Sequence, residues 1–289
     1  MLGPGPDVDT VRDVAIPGPA GPIPARIYRP AGPLATILYL HGGGWVVGTV
    51  DIFDAFARML ADESHCKVIS LEYRLAPEHP FPSAVEDARA ALQWVAIEEL
   101  EGPLVVCGDS AGGNLATVCA RLARDEGGPA IAMQLLAYPV VDHGFDTDSY
   151  REQADNPLMG RNDMAWYWDL YAPSAVDRER PEASPLRAAD LTGLPPAYIV
   201  VAAHDPLRDE VLAYSRRLKD AGVTVIERHY GDQAHGFLTM VNFLPVADAA
   251  VAEIGEMLRS RFGGGEPVDP RPVLDSDQEN ALQSDRSVD

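Results

Sequence analysis

The chain has 289 residues, of which 46% are hydrophobic, and a formal net charge of −21. That length suits one large α/β domain or two small ones, with apolar content for a sizeable core. The acidic balance argues against nucleic acid and anionic membrane surfaces, both of which need clustered Lys and Arg; Lys67 and Lys219 are the only lysines.

Residues 1–7 are rich in Gly and Pro and are expected to be loose. The opening "MLGPGPDVDTVRDV" has neither the basic start nor the apolar core of a signal peptide. Short extended segments near 11–16 and 23–29, separated by "PGPAGP", predict an antiparallel hairpin at a sheet edge. "LATILYLH" (34–41) reads as a buried strand. Residues 51–64 read as a helix with Phe53, Phe56 and Leu60 on one face, and "KVISLEY" as the next strand. A longer helix is expected over 82–100, burying Val85, Ala88, Leu92, Val95 and Leu100. Then come a strand at 104–107, a helix carrying Leu115, Val118, Cys119 and Leu122, and a strand in "AIAMQLLAYPVV".

Residues 143–194 interrupt the alternation and read as an insertion that lids the carboxyl edge of the sheet. Within it, Met164, Tyr167, Trp168 and Tyr171 fall at helical spacing with Asn162 placed as N-cap, a pattern that mostly means ordinary packing. "PAYIVVAAH" and "VTVIERHY" predict two late strands with a helix near 207–221 between them, and 246–262 predicts the closing helix. Alternating strands and helices imply one mostly parallel sheet covered on both faces. The segment 263–289, acidic and poor in large apolar residues, is expected to be a disordered tail.

No apolar run approaches the ~18–20 residues of a membrane helix. Cys66, Cys107 and Cys119 sit in apolar or element-forming stretches and read as reduced core residues of a cytoplasmic protein. There is no C-x-x-C and no H-E-x-x-H, so neither a metal nor a cofactor is expected.

The chemistry gathers at "VVCGDSAGGNLATVCARLA" (105–123). Ser110 stands where a strand meets a helix, with glycines at 108, 112 and 113. A serine that only capped the helix would not need glycine on both sides. A serine held on a tight, crowded turn with its oxygen clear of the backbone would, and Gly108-Asp109-Ser110-Ala111-Gly112 has the G-x-S-x-G form of a nucleophile elbow. Such a serine needs a base and a group to orient the base. Asp205 follows a late strand directly; Asp209 and Glu210 are rivals a helical turn further on, expected to face solvent. His235 lies in the loop after the last strand. His204 precedes Asp205 on its strand and should point to the other face. In "YLHGGGWVVG" (39–48), three glycines after a buried strand are costly in backbone entropy unless amides must approach a ligand. They suit an oxyanion hole, completed by the amide of Ala111 after the nucleophile. His41 is expected to anchor this loop by hydrogen bonds, and Trp45 to line the adjoining pocket.

Taken together, "HGGGW" (41–45), "EYRLAPEHPFPSA" (72–84), "GDSAGGN" (108–114), "SPLRA" (184–188), "LTGLPPAYIV" (191–200), "DPLRDE" (205–210) and "HGF" (235–237) resemble the hormone-sensitive lipase family of α/β-hydrolases, in its bacterial esterase branch. The resemblance covers about 11–262 and implies one α/β-hydrolase domain over 1–262. It implies Ser110 as nucleophile, Asp205 as orienting acid and His235 as base. Gly43, Gly44 and Ala111 would donate to the oxyanion, Gly42 would shape the loop, and Asp109 would be structural. Family members usually carry several dozen more residues before the glycine loop, so that half of the cap is expected to be missing here.

The implied activity is hydrolysis of small-molecule esters with short to medium acyl chains through an acyl-serine. The alternatives are deacylation of a specialised metabolite and a non-catalytic binding protein of the same fold. No nucleic acid or stable membrane insertion is expected, and a homodimer is compatible with the sequence.

Overall fold

The computed structural model describes residues 3–264. The expected acidic tail, apart from Gly263 and Gly264, lies outside them. In chain order the elements are β1 (Thr10–Gly18), β2 (Gly21–Arg29), β3 (Thr36–Leu40), α1 (Asp54–Ser64), β4 (Lys67–Leu71), α2 (Ser83–Trp94), β5 (Leu104–Asp109), α3 (Ala111–Glu126) and β6 (Ile131–Ala137). They continue as α4 (Asp148–Glu152), α5 (Arg161–Tyr171), α6 (Ala175–Arg178), β7 (Ala197–His204), α7 (Arg208–Asp220), β8 (Val225–Ala234) and α8 (Pro245–Phe262).

The strands form one sheet in the order β1-β2-β4-β3-β5-β6-β7-β8. β1 and β2 form the antiparallel hairpin and β2 joins β4 antiparallel. From β4 to β8 every pairing is parallel. The central strands β3, β4 and β5 are buried throughout, which is why they read as continuous apolar runs. Successive residues serve opposite faces. Leu38, Leu40 and Val106 pack with α2, α3 and α7 on one side. Ile37, Tyr39 and Val105 pack with α1 and α8 on the other. The three cysteines are buried and unpaired.

Four elements depart from the sequence expectation. The helix after "EYRLAPEHPFP" is α-helical only to Trp94; Val95–Glu99 continue as a π-helical turn. Wider i→i+5 bonding shifts the helix phase, and Leu100 is exposed rather than buried. β6 stops at Ala137, because Tyr138 turns out of the strand with a φ of 36°. α5 begins after Gly160, not Asn162. Its first turn is closed by Asp163, whose Oδ2 accepts from the Gly160 amide at 2.8 Å. β8 runs on through the expected loop "GDQA", held by a register in which His204 opposes Ala234. It therefore delivers His235 directly from the strand end.

Candidate active site

β5 ends against α3 with a single residue, Ser110, between them. Ser110 has φ 53° and ψ −120°, a strained conformation for a residue with a Cβ. The strain is held from both sides: the Ser110 amide donates to Ala137 O at 2.9 Å, and its carbonyl accepts from Val140 N at 3.1 Å. Close approach of backbone to backbone explains the flanking glycine: a Cβ on Gly112 would come within 1.9 Å of Leu40 O.

The C-terminal ends of β7 and β8 supply the partners. His235 Nε2 lies 2.9 Å from Ser110 Oγ, and His235 Nδ1 lies 2.8 Å from Asp205 Oδ2. Asp205 is fully buried. Its second oxygen accepts from the Leu207 amide at 2.8 Å, so the carboxylate is fixed by the turn that follows β7. A carboxylate can only accept, so Nδ1 carries the proton in the neutral ring and Nε2 is left to accept from the serine hydroxyl. His204 is exposed and lines a separate surface depression with residues 151–157.

The glycine loop is tied to the elbow by Asp109. Its Oδ1 accepts from the Gly42 amide at 3.0 Å and from Tyr39 OH at 2.8 Å. Burial pushes the Asp109 carboxyl up to about 6 against the pull of the Tyr39 hydrogen bond, the nearby His235 ring and the Gly42 amide. His41 is buried between the rings of Phe53 and Tyr73, at centroid distances of 5.2 and 4.4 Å. Its Nδ1–H donates to Gly42 O at 2.7 Å, and its carbonyl accepts from Tyr73 OH at 2.7 Å. Burial lowers its pKa to about 4, so the ring is neutral and anchors the loop as the sequence suggests. Ala111, the first residue of α3, is fully buried beside Ser110.

Gly43, Gly44, Ser110 and His235 line a cavity of about 320 Å³. Its far wall is α5, which presents Asp163, Trp166 and Tyr167. These three sit at i, i+3 and i+4, one helix face. Met164, Trp168 and Tyr171, on the neighbouring face about 100° further around the axis, are buried. Tyr167 therefore differs from the rest of the aromatic stripe with which it was grouped in the sequence. Trp45 does not line the cavity, contrary to expectation. It is fully buried, stacked on Tyr171 at 4.0 Å and edge-on to Trp168 at 5.0 Å.

The turn after β7 does more than carry Asp205. Glu210 does not face solvent: it is buried, and its Oε1 accepts from the amides of Val141 and Asp142 at 2.8 and 3.2 Å. Burial pushes its carboxyl well above the usual range, against the pull of the Val141 amide. Asp209 accepts from the Ser149 amide at 2.8 Å, and Ser149 Oγ donates to Pro206 O at 2.7 Å. Three acids of one turn thus hold the histidine, the exit from β6 and the start of α4. Sequence reasoning missed the last two roles; the only signal was that acidic residues directly after a buried strand stand where loop amides converge.

Among the described residues, no group of three or more His, Cys, Asp or Glu side chains could hold a metal ion. None of the described helices is long and apolar enough to cross a membrane.

A family model described as the alpha/beta hydrolase fold matches residues 37–239. The chain belongs to the alpha/beta-hydrolase fold family. Among curated alpha/beta-hydrolase relatives, the carboxylic ester hydrolase LipN of Mycobacterium tuberculosis is 44% identical over 273 residues, covering 90% of this chain and 73% of its own. An ethyl acetate hydrolase of Pseudomonas putida is 35% identical over 277 residues, covering 91% and 86%. Among solved structures, an esterase of Pyrobaculum calidifontis superposes with a TM-score of 0.85 at 42% identity, covering 88% of this alpha/beta-hydrolase and 87% of that chain.

Proposed function

We propose that the protein is a serine carboxylic-ester hydrolase of the hormone-sensitive lipase type. The observation that carries this reading is the unbroken hydrogen-bond chain Asp205–His235–Ser110 at the floor of a cavity walled by Gly43 and Gly44. Relatives named as ester hydrolases support it.

A serine hydroxyl is a weak nucleophile until a base takes its proton. As Ser110 Oγ bonds to the ester carbonyl carbon, His235 Nε2 takes the hydroxyl proton and Asp205 steadies the imidazolium. The carbonyl π electrons move to oxygen, and the amides of Gly43, Gly44 and Ala111 face the resulting oxyanion. When the C–O bond to the alcohol breaks, His235 returns the proton to the departing oxygen. The acyl-serine is hydrolysed by the same steps in reverse, with water in place of the alcohol. Residues 143–194 act as the cap, with α5 as the wall of the acyl and alcohol pocket.

Intact-mass analysis after brief exposure to a fluorophosphonate tests the reading. A single adduct on Ser110 is expected, with turnover lost in Ser110→Ala by a factor on the order of 10⁶. His235→Gln should abolish turnover of a p-nitrophenyl ester, and His204→Gln should not. Labelling elsewhere, or equal losses in the two histidine variants, would overturn it.

A further inference from the structure

The cavity wall carries charge of one sign. Asp163 is exposed and lines the cavity. Its Oδ2 closes the first turn of α5 on the Gly160 amide at 2.8 Å. Among the described residues no cation pairs with it. Arg161, the nearest cation on the same helix, lies about 160° away around the axis at 3.6 residues per turn. Among the described residues no Lys or Arg lines the cavity, and the one basic ring among them there, His235, is engaged by Asp205.

Beside Asp163 stand aromatic faces. Trp166 is about half exposed, at 52%. It meets Tyr167 edge-on at 5.1 Å, and Phe53 lines the same cavity. Burial, and then the Asp163 carboxylate, push the Tyr167 phenol up, as expected of a carboxylate whose field reaches into the pocket. The chain as a whole carries a net charge of −21. A cleft of one sign with low-dielectric walls focuses such a field and concentrates ions of the opposite sign. Ring faces attract ammonium groups and repel carboxylates.

We propose that this site selects esters bearing a cationic group, such as a quaternary or protonated ammonium a few bonds from the ester, and disfavours esters bearing a carboxylate or phosphate. The proposal rests on the ester-hydrolase reading above and names its substrate class. Asp163 supplies the countercharge, and Trp166 with Tyr167 supplies the ring faces. Polyanionic thioesters and acidic half-esters are turned away by the same field.

The test uses a matched pair: acetylcholine and its uncharged carbon isostere, 3,3-dimethylbutyl acetate, followed by pH-stat at neutral pH and low ionic strength. The ratio of kcat/KM, cation over isostere, should be about fivefold or more, the size of one desolvated cation–π contact or ion pair. Asp163→Asn keeps an acceptor for the Gly160 amide and should lower that ratio about threefold or more, while Trp166→Leu lowers it through loss of the ring. The 4-acetoxybutanoate anion should be the poorest substrate of the three. A ratio at or below one overturns the proposal. So does a ratio that vanishes at high salt yet is untouched by Asp163→Asn, since that is the overall charge acting and not the pocket. If wild type hydrolyses the neutral isostere without preferring the cation, only this proposal fails. If it hydrolyses neither, the ester-hydrolase reading fails.

Discussion

The Asp109 carboxylate, one residue before Ser110, holds the amide of Gly42 at 3.0 Å across a separation of 67 residues in the chain. The Ser110 turn and the glycine loop are thereby set against each other by one buried side chain. That side chain is held in the fold with a pKa of about 6 against an ordinary 3.8. The fold therefore prefers the protonated form. The corresponding stability is complete below about 4 and is lost as pH rises through about 6.

Asp109→Asn presents the same acceptor oxygen to both Gly42 and Tyr39 and carries no charge. Relative to wild type, its stability should rise with pH between about 4 and 6 and then level off, by an amount on the order of 3 kcal/mol. Asp109→Ala removes the acceptor. It should destabilise by about 1–3 kcal/mol per orphaned donor and lower kcat/KM as the loop loosens. Denaturant melts at a series of pH values check both. Parallel stability profiles for wild type and Asp109→Asn would mean that the fold does not raise this carboxyl above its unfolded pKa.

A second prediction concerns Gly44, which has φ 59° and lies beneath Tyr167. A Cβ here would fall 2.1 Å from the ring's Cδ1. Gly44→Ala should cost about 100-fold or more in kcat/KM, the scale of losing an oxyanion donor, because the loop must shift. Tyr167→Ala in the same chain relieves the clash but not the ~1–2 kcal/mol left-handed strain. The double variant should recover part of the loss. If Gly44→Ala and Gly44→Ala/Tyr167→Ala are equally slow, the ring is not what the loop packs against.

These relationships bear on what the sequence could show. That Ser110, His235 and the glycines would meet was legible because their positions are constrained: a tight strand-to-helix turn needs small neighbours, and the end of the last strand lies beside it. Asp205 was legible because it ends a buried strand. Glu210 was not, because a glutamate letter carries no record of burial; only the converging amides of Val141 and Asp142 show why it is inside. Trp45 was assigned to the pocket from its place beside the glycines. Its φ of 59° instead accompanies a ring stacked on Tyr171. Leu100 was misread because a π turn shifts the helix phase and leaves no mark in the apolar spacing, and the end of β8 because a strand register is set by a partner strand far away in sequence.

Glu210 gives a third prediction. Glu210→Gln keeps the oxygen that holds Val141 and Asp142 and puts an uncharged amide where burial disfavours the carboxylate. It should change stability by less than about 1 kcal/mol, whereas Glu210→Ala leaves two buried amides unpaired at about 1–3 kcal/mol each. Because the fold raises this carboxyl's pKa, wild type should lose stability relative to Glu210→Gln as pH climbs through the folded value, and not below it. Thermal melts of the three proteins from acid to alkaline pH read this out. A large loss in Glu210→Gln at neutral pH would show that the group is ionised and needs its charge.

The last prediction is acyl-chain length. The cavity at Ser110 holds about 320 Å³, and its outer wall is incompletely covered: Leu158 and Trp166, both lining it, are 63% and 52% exposed. A short acyl chain on Ser110 would fit inside this cavity, behind that rim. Each further methylene is worth ~0.8 kcal/mol only while it is buried. Affinity should therefore stop growing once the chain reaches the exposed rim. With a fixed neutral leaving group, kcat/KM should be highest for acyl groups of about two to six carbons and flat or falling beyond, since later methylenes gain little of that ~0.8 kcal/mol. Measurements must stay below the micelle limit, where concentration is still that of free ester. A rate that keeps climbing about fourfold per methylene past eight carbons, the factor that ~0.8 kcal/mol implies, would require a closed tunnel instead of this rim. Replacing Leu158 by Phe narrows that choice further. If the rim sets the limit, a larger apolar side chain there extends cover over the chain, and the optimum should move toward longer acyl groups.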